Sequence, residues 1–358
     1  MSEPTVQRFG RNDPNPLVSI IVLNYNGEKW LKRCFETIRA QTVIEQIEFI
    51  FADNQSTDNS IATATRLLAD FPCAAIVQTG GNLGFSAGNN VGAKHAHSKY
   101  LFFLNSDTWL ETDAIEKLMV EMKRAGATAA TPLVLNYDDQ SYQDMGFYGF
   151  DIFGLPSPSR RENAAREIFA AGGCSLIIER QMFERINGFD AEYFMYSEDL
   201  DLSWRTWIAG GRVLGLPAAT VHHRGAVSVN PAGGEKTTEF RTTVQKRFLT
   251  NRNTLLCLLK NCRHILLLLV PAQIFFLALE SFALILLLRE PGFFRGAFLR
   301  ALADCWRLRG HIMAERRRIA GYRQHGDFWM LRFFRWKLNR WFEIKRLFHF
   351  GVPRVDNR

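Results

Sequence analysis

Tyr100-Leu101-Phe102-Phe103-Leu104-Asn105-Ser106-Asp107-Thr108 is the stretch whose reading decides the fold. Five uninterrupted apolar residues read as a strand buried on both faces, and four polar residues follow it at once. Such a strand lies inside a helix-covered sheet, and its carboxyl end is where open α/β sheets bind ligands. Working outward, Val18 to Leu23, Ile47 to Ala52 and Ala74 to Gln78 read as further strands. Between the first two, Leu31, Cys34, Phe35 and Ile38 recur at helical spacing within Glu28 to Gln41, which makes one buried helix face. Between the second and third, Asp58 or Ser56 caps a helix running to Asp70, and Pro72 ends it. The alternation predicts an α/β domain with a mostly parallel central sheet flanked by helices. Downstream, Asn136 to Arg166 is rich in Gly, Pro, Asp and aromatic residues and reads equally as a substrate loop or an irregular connection. Regular patterning returns with a strand at Cys174 to Ile178, a helix closed by Asn187-Gly188, and a helix from Glu198 to Ala209 closed by Gly210-Gly211.

Composition bounds the rest. With 358 residues and 47% hydrophobic content, the chain accommodates one large catalytic domain and an additional region. Six cysteines are scattered without a C-x-x-C pair, which argues against a zinc ribbon or disulfide framework and fits a reducing compartment. The polar start MSEPTVQRFGRNDPNP lacks a secretory apolar core, so the N-terminal part is expected in the cytoplasm. Charge is unevenly spread: Arg289 to Arg358 holds 17 Lys+Arg against 6 Asp+Glu, a net of +11 in a chain of net +8. A near-neutral first part followed by a basic tail points to an anionic membrane surface and away from nucleic acid.

Several polar clusters could carry chemistry. The second strand ends in Asp53-Asn54-Gln55-Ser56-Thr57-Asp58, where Asp53 either accepts the N3 hydrogen of a pyrimidine base or serves an ordinary turn. Gly80-Gly81-Asn82-Leu83-Gly84-Phe85-Ser86-Ala87-Gly88-Asn89-Asn90 lets backbone approach a ligand at a helix start, yet it is not the G-x-G-x-x-G fingerprint. Asn105-Ser106-Asp107 is a variant of D-x-D, in which a carboxylate beyond a strand holds Mg2+ or Mn2+ against a diphosphate; a helix cap is the plainer alternative. Glu198-Asp199-Leu200-Asp201 puts three carboxylates at a helix start, favourable there in any case, behind the aromatic run Tyr193 to Tyr196. One of them is a candidate general base. His222-His223 follows a presumed strand and offers an imidazole to a metal site with Asp107.

In order along the chain, VSIIVLNYNG, DNQSTDNS, GGNLGFSAGNN, LNSD, AGGCSLI, EDLDLSWR and HHRGAVS resemble the family 2 glycosyltransferases, especially bacterial rhamnosyltransferase-like members, from Leu17 to about Asn253. The resemblance implies a GT-A fold and an inverting, metal-dependent transfer of sugar from a nucleotide diphosphate to a hydroxyl. It assigns Asp53 to the base, Asn24 and Asn26 to the nucleotide pocket, and Asn82, Phe85, Ser86, Gly88 and Asn89 to nucleotide and donor sugar. Asn105, Ser106 and Asp107 fall at the diphosphate, with Asp107 and His223 on the Mg2+ or Mn2+ ion and His222 left open. Asp199, with Glu198 as its neighbour, matches the catalytic base, and Gly173, Cys174 and Trp204 fall on the acceptor side. The spelling favours L-rhamnose from dTDP-rhamnose, ahead of other hexoses and galactofuranose. Asn24-Tyr25-Asn26-Gly27-Glu28 lacks the cationic loop of a nucleotidyltransferase, and retention of Asp53, Asp107, Asp199 and His223 together argues against a non-catalytic scaffold.

These readings divide the chain into an extension at 1–16, a catalytic domain at 17–253 and a helical, membrane-associated region at 254–358. Ile265 to Leu288 is 24 residues of nearly unbroken apolar sequence, long enough to span a bilayer at about 1.5 Å per residue. Pro271, Gln273 and Glu280 inside it make an in-plane helix or a re-entrant hairpin a serious competitor to one clean span. Beyond it, Phe and Trp, among them Trp341 and Phe342, interleave with Arg and Lys in the manner of interfacial helices. The alternative is a helical subdomain packed on the catalytic domain. The expectation is work at the cytoplasmic face of the inner membrane, on a lipid-linked or glycan acceptor for cell-surface polysaccharide, with a homo-oligomer left open.

Overall fold

The computed structural model describes residues 3–11, 16–225, 241–288, 292–339 and 354–355. Its first half runs β1 (Thr5–Gly10), β2 (Val18–Asn24), α1 (Glu28–Arg39), β3 (Ile47–Asp53), α2 (Ser60–Leu68), β4 (Cys73–Gln78) and α3 (Gly84–Ala93). Next come β5 (Tyr100–Asn105), β6 (Thr108–Leu110), α4 (Ala114–Ala125), β7 (Ala129–Asn136), β8 (Tyr142–Asp144), β9 (Phe147–Phe150), β10 (Pro156–Pro158) and β11 (Arg166–Glu167). The remainder is β12 (Ser175–Glu179), α5 (Arg180–Arg185), α6 (Glu198–Ile208), β13 (Val213–His223), α7 (Val244–Asn261), α8 (Leu269–Leu288), α9 (Arg300–Arg307) and α10 (Arg309–Tyr322).

The sheet is mixed rather than mostly parallel. Strands β4, β3, β2 and β5 form the parallel centre, in that order. Beyond β5, β12 runs antiparallel to both β5 and β7, while β7 and β13 pair in parallel. At the other edge Thr5–Gly10, read from sequence as a bare extension, pairs antiparallel with β4. Its alternating signal is weak because an edge strand needs only one partner and little burial.

Two apolar layers cover the sheet. One holds Leu31, Cys34, Phe35 and Ile38 of α1, Ala64 and Leu68 of α2, and Ile115 and Leu118 of α4. The other joins Ile21 and Phe103 of the sheet to Trp204 and Trp207 of α6, Leu256 and Leu258 of α7, Ile312 and Ile319 of α10, and Met330 and Phe333. The C-terminal helices therefore complete the core of the sheet. The boundary read at 253 falls in the middle of α7, where Asn253 is fully buried. The stretch 136–166 is largely ordered too, since Phe150 packs on Phe334 and Asp151 accepts a hydrogen bond from the Asn339 N–H at 2.9 Å.

Helix α8 explains its own irregular composition. Pro271 stands in its first turn, where no intrahelical N–H bond is lost. Glu280 is paired with Arg247 of α7 at 3.0 Å. Leu277 is buried against the α7 side, whereas Phe275, Leu279, Phe282 and Leu286 form a bare stripe at helical spacing. By length and composition, Ile265–Ala283 is the one helix among the described residues apolar enough to cross a membrane, and 28% of it is buried within the protein.

Candidate active site

Parallel register places Asn24 beside Asp53 and Leu23 beside Asn105, so three polar residues end neighbouring strands at one sheet edge. Asp53 accepts a hydrogen bond from Ser56 N–H at 2.9 Å, and its other oxygen lies 3.4 Å from the Asn24 amide nitrogen. The Asn24 side-chain oxygen Oδ1 is buried without a hydrogen-bond partner and faces Gly27, where a Cβ would sit 2.3 Å away. Ser106 Oγ lies 3.1 Å from that same position. Asn26 adopts φ 54° and accepts a hydrogen bond from Thr57 N–H at 2.7 Å. Asn82 accepts one from Gly84 N–H at 3.2 Å.

The short β6 pairs with the end of β13, which sets Thr108 opposite His223. His223 Nε2 lies 3.4 Å from Asp107 Oδ1 and 3.3 Å from the Asn105 amide nitrogen. Burial raises the Asp107 pKa, but the hydrogen bond and charge of His223 outweigh it and hold the carboxyl below its ordinary value. For His223, burial works against the charged ring, yet the Cys174 sulfur and the Asp107 carboxylate push its pKa well up. His222 points the other way: it stacks on Trp109 with ring centroids 3.4 Å apart and hydrogen-bonds Glu111 at 2.8 Å. Of the two histidines, His223 is the one beside Asp107.

Asp199 approaches from the start of α6. Its Oδ2 accepts Gly173 N–H at 2.9 Å and its Oδ1 accepts Leu200 N–H at 2.7 Å. A Cβ at position 173 would come within 3.1 Å of that carboxylate. Burial raises the Asp199 pKa, with the backbone donors opposing it. The next residue, Cys174, accepts a backbone hydrogen bond from Asn105 at 3.0 Å, so two consecutive residues tie Asp199 to the Asp107–His223 pair. Glu198 is buried, its Oε2 has no hydrogen-bond partner, and burial with the Asp199 charge pushes its pKa up to about 8. Asp201 is committed elsewhere, to Arg205 at 2.7 Å and Lys260 at 3.1 Å, both in the interior.

Of the residues expected near substrate, Ser86, Gly88, Asn89 and Trp204 are buried, and Phe85 is half-buried. Phe85 packs on Phe189, Ser86 is fully buried within α3, and a Cβ on Gly88 would strike Leu23 at 2.6 Å. Asn89 donates to the Phe85 carbonyl at 3.0 Å. Trp204 stacks on Phe150 at 5.4 Å and is 1% exposed, so it is a core residue and not an acceptor contact. Its motif position was legible; its direction was not, because α6 is buried nearly all round. Trp204→Ala is expected to cost about 3–5 kcal/mol of stability, read by denaturant unfolding.

Residues 19–186 match the family model described as Glycosyl transferase family 2. They belong to glycosyltransferase family 2. The chain is 24% identical over 263 residues to the rhamnosyltransferase WbbL of Escherichia coli, covering 66% of this chain and 96% of that protein. Against the N-acetylglucosaminyl-diphospho-decaprenol L-rhamnosyltransferase of Mycobacterium tuberculosis it is 25% identical, over 59% of this chain and 77% of the relative. Against the low-salt glycan biosynthesis hexosyltransferase Agl10 of Haloferax volcanii it is 24% identical over 52% of this chain and spans 61% of that protein. Among solved structures, GalNAc-T7 with UDP, GalNAc and Mn2+ superposes with a TM-score of 0.50 at 17% identity, over 58% of this chain and 43% of the other. That likeness concerns the fold, which is GT-A.

Around the site, sequence reasoning assigned no role to four residues. Asp144 of β8 stands beside Gly172, where a Cβ would lie 2.4 Å from its Oδ2; burial, and after it the nearby Asp199 charge, pushes its pKa up to about 7. Gln143 hydrogen-bonds His223. Asn54 accepts Leu83 N–H at 3.0 Å and so pins the glycine-rich turn. Asn253 donates to the carbonyls of Tyr193, Met195 and Tyr196 at 3.0, 2.8 and 2.7 Å. It thereby holds the strained loop before α6, in which Phe194, Tyr196 and Ser197 all have positive φ. Asp144 and Gln143 lay in the stretch read as loop or connection; nothing in the local pattern marked them. The histidine motif continues through Ala226 to Ser228, and the basic tail includes Trp341 and Phe342; these lie outside the described residues.

Proposed function

We propose that this protein is an inverting glycosyltransferase that moves a sugar, L-rhamnose from dTDP-rhamnose as first candidate, from a nucleotide diphosphate to an acceptor hydroxyl. The observation that carries the reading is the bridge at Gly173-Cys174, which holds the Asp199 carboxylate on one side and the Asn105–Asp107–His223 group on the other. One group suits a base for the incoming hydroxyl, the other the departing diphosphate. A sugar ring between them is poised for single in-line displacement with inversion.

Each residue has a defined task in this reading. Asn24, Asn26 and Asp53 receive the nucleotide at the sheet edge, and Asn82, Asn105 and Ser106 border the path of the diphosphate. Asp199 takes the proton from the acceptor hydroxyl as the glycosidic bond forms. Its raised pKa makes it a stronger base than a free carboxylate, and activity falls as pH drops through that raised value. Asp107 and His223 offer an oxygen and a nitrogen donor, and no group of three or more His, Cys, Asp or Glu suited to an ion occurs among the described residues. That fits an ion carried largely by substrate phosphates, the usual manner of Mg2+. Held there, Mg2+ or Mn2+ would neutralise charge on the leaving diphosphate.

Glu198, the neighbour in the Glu-Asp pair, has a different role in this account. With a pKa near 8 it stays protonated at neutral pH and keeps a second charge away from the base. Glu198→Gln preserves that neutral state and is expected to change turnover by less than about tenfold, far less than loss of a general base costs. A loss comparable to that of Asp199→Asn would move the base to Glu198.

The acceptor in this reading is a glycan or polyprenyl-diphosphate-linked sugar at the cytoplasmic face of the inner membrane. It rests on the decaprenol-linked acceptor named for the mycobacterial relative and on the bare stripe of α8. Because the opposite face of α8 packs on the protein, the helix lies in the bilayer surface with Phe275 and Phe282 downward. The basic C-terminal region supplies attraction to anionic lipid. The double variant Phe275→Glu/Phe282→Glu is expected to leave vesicles of anionic lipid while retaining release of nucleoside diphosphate from donor; unchanged flotation with vesicles contradicts the placement. Galactofuranosyl or other hexosyl transfer is the second reading, supported by the likeness to a hexosyltransferase. A nucleotide-sugar panel, scored by release of the nucleoside diphosphate, separates the two.

A further inference from the structure

A chain of hydrogen bonds runs from a surface carboxylate to His223, and its direction is determined throughout. Ser141 Oγ lies 2.6 Å from Asp139 Oδ1, and an ionised carboxylate only accepts, so the single hydroxyl proton of Ser141 points at Asp139. The Asn136 amide at 2.7 Å from Ser141 Oγ must then present its NH2 group. This turns the Asn136 carbonyl oxygen toward Gln143, which donates to it from Nε2 at 2.8 Å. The same Gln143 nitrogen lies 3.1 Å from the His223 backbone carbonyl, which also only accepts, so two independent contacts orient the Gln143 amide. Its Oε1 is left facing His223 Nδ1 at 2.8 Å. An oxygen there requires a proton on Nδ1.

We propose that Gln143 is a positioning residue that keeps the proton of the neutral His223 ring on Nδ1, so that once the ring gives up the Nε2 proton it shares with Asp107, the lone pair lies on the side of Asp107 and Asn105. A neutral histidine side chain free in water prefers the opposite tautomer, with the proton on Nε2. The relay Asp139–Ser141–Asn136–Gln143 reverses that preference. It is supported by parallel pairing of Asn136 with His223 across β7 and β13 and by the backbone bond from Asn136 N–H to Ser141 O at 2.8 Å. A histidine that meets a divalent ion commonly has its other ring nitrogen held this way, and loss of the partner typically costs about 10- to 100-fold in metal affinity. The proposal rests on the reading of His223 as a ligand at the diphosphate, but the tautomer itself does not.

The test separates the two. Nitrogen-15 NMR of histidine-labelled, metal-free protein, at a pH where the His223 ring is neutral, reports which nitrogen carries the proton. Wild type is expected to show Nδ1–H, Gln143→Leu to move the proton to Nε2, and Gln143→Glu, which keeps an acceptor oxygen, to retain Nδ1–H. Wild type with Nε2–H, or the same tautomer in wild type and Gln143→Leu, overturns the proposal. Loss of Nδ1–H in both variants also overturns it, because the effect would then be general disturbance of the strand pair. Mn2+ titration followed by electron paramagnetic resonance is expected to show affinity about 10- to 100-fold weaker in Gln143→Leu. A tautomer that tracks Gln143 with unchanged Mn2+ affinity upholds the relay and removes the ion from His223.

Discussion

Asp199→Asn is expected to lower turnover by about 10² to 10⁴ fold while donor affinity stays nearly unchanged. As the proposed base, the carboxylate acts only as the hydroxyl loses its proton, so its loss falls on the transition state. Asparagine retains an oxygen for Gly173 N–H, now at 2.9 Å, so the bridge to Cys174 and Asn105 persists and the fold is kept. Steady-state kinetics with nucleotide binding measured separately checks both halves. Asp201 does not substitute, because it is locked to Arg205 and Lys260 in the interior. Near-normal turnover would therefore take the role of base from Asp199 and leave Glu198 to hold it.

Asp107→Ala is expected to weaken donor binding in the presence of Mg2+ or Mn2+ and to abolish most of the dependence of that binding on the ion. The carboxylate is held below its ordinary pKa by His223, so it is ionised throughout the neutral range. Removing it leaves the imidazole as the one side chain of the pair, and a single nitrogen donor is a poor substitute for oxygen on a hard cation. Isothermal titration of nucleoside diphosphate with and without chelator gives the measurement. Equal affinity in the variant and wild type, or full activity of wild type in excess chelator, would exclude the ion from Asp107.

The parallel centre of the sheet was legible because buried strands such as Val18–Asn24 and Tyr100–Asn105 are apolar on both faces and end abruptly in polar residues. The residues at those ends followed directly, and with them Asn24, Asp53, Asn105 and Asp107. What the pattern could not show was direction around a helix buried on every side. Trp204 and Asp201 share α6 with Asp199, yet both face the interior, where Lys260 of α7 meets Asp201 and Phe150 of β9 meets Trp204. Nor could local sequence reveal that Ile312 and Phe333 return to cover the same sheet as Ile21. Those contacts depend on long-range packing of a region whose apolar and basic composition pointed to the membrane. Both features coexist in α8, which buries one face and bares the other. Gln143 and Asp144 stayed hidden because a single three-residue strand, β8, carries both to the site, and so short a strand leaves little periodicity to read.

Inverting transfer is tested most directly by the anomeric configuration of the product formed by the full chain from a panel of nucleotide-sugars and a lipid-linked acceptor in detergent. The account predicts release of nucleoside diphosphate matched by a glycoside of the opposite configuration to the donor, absent with Asp199→Asn. A product of retained configuration, or no diphosphate released from any donor, would contradict it.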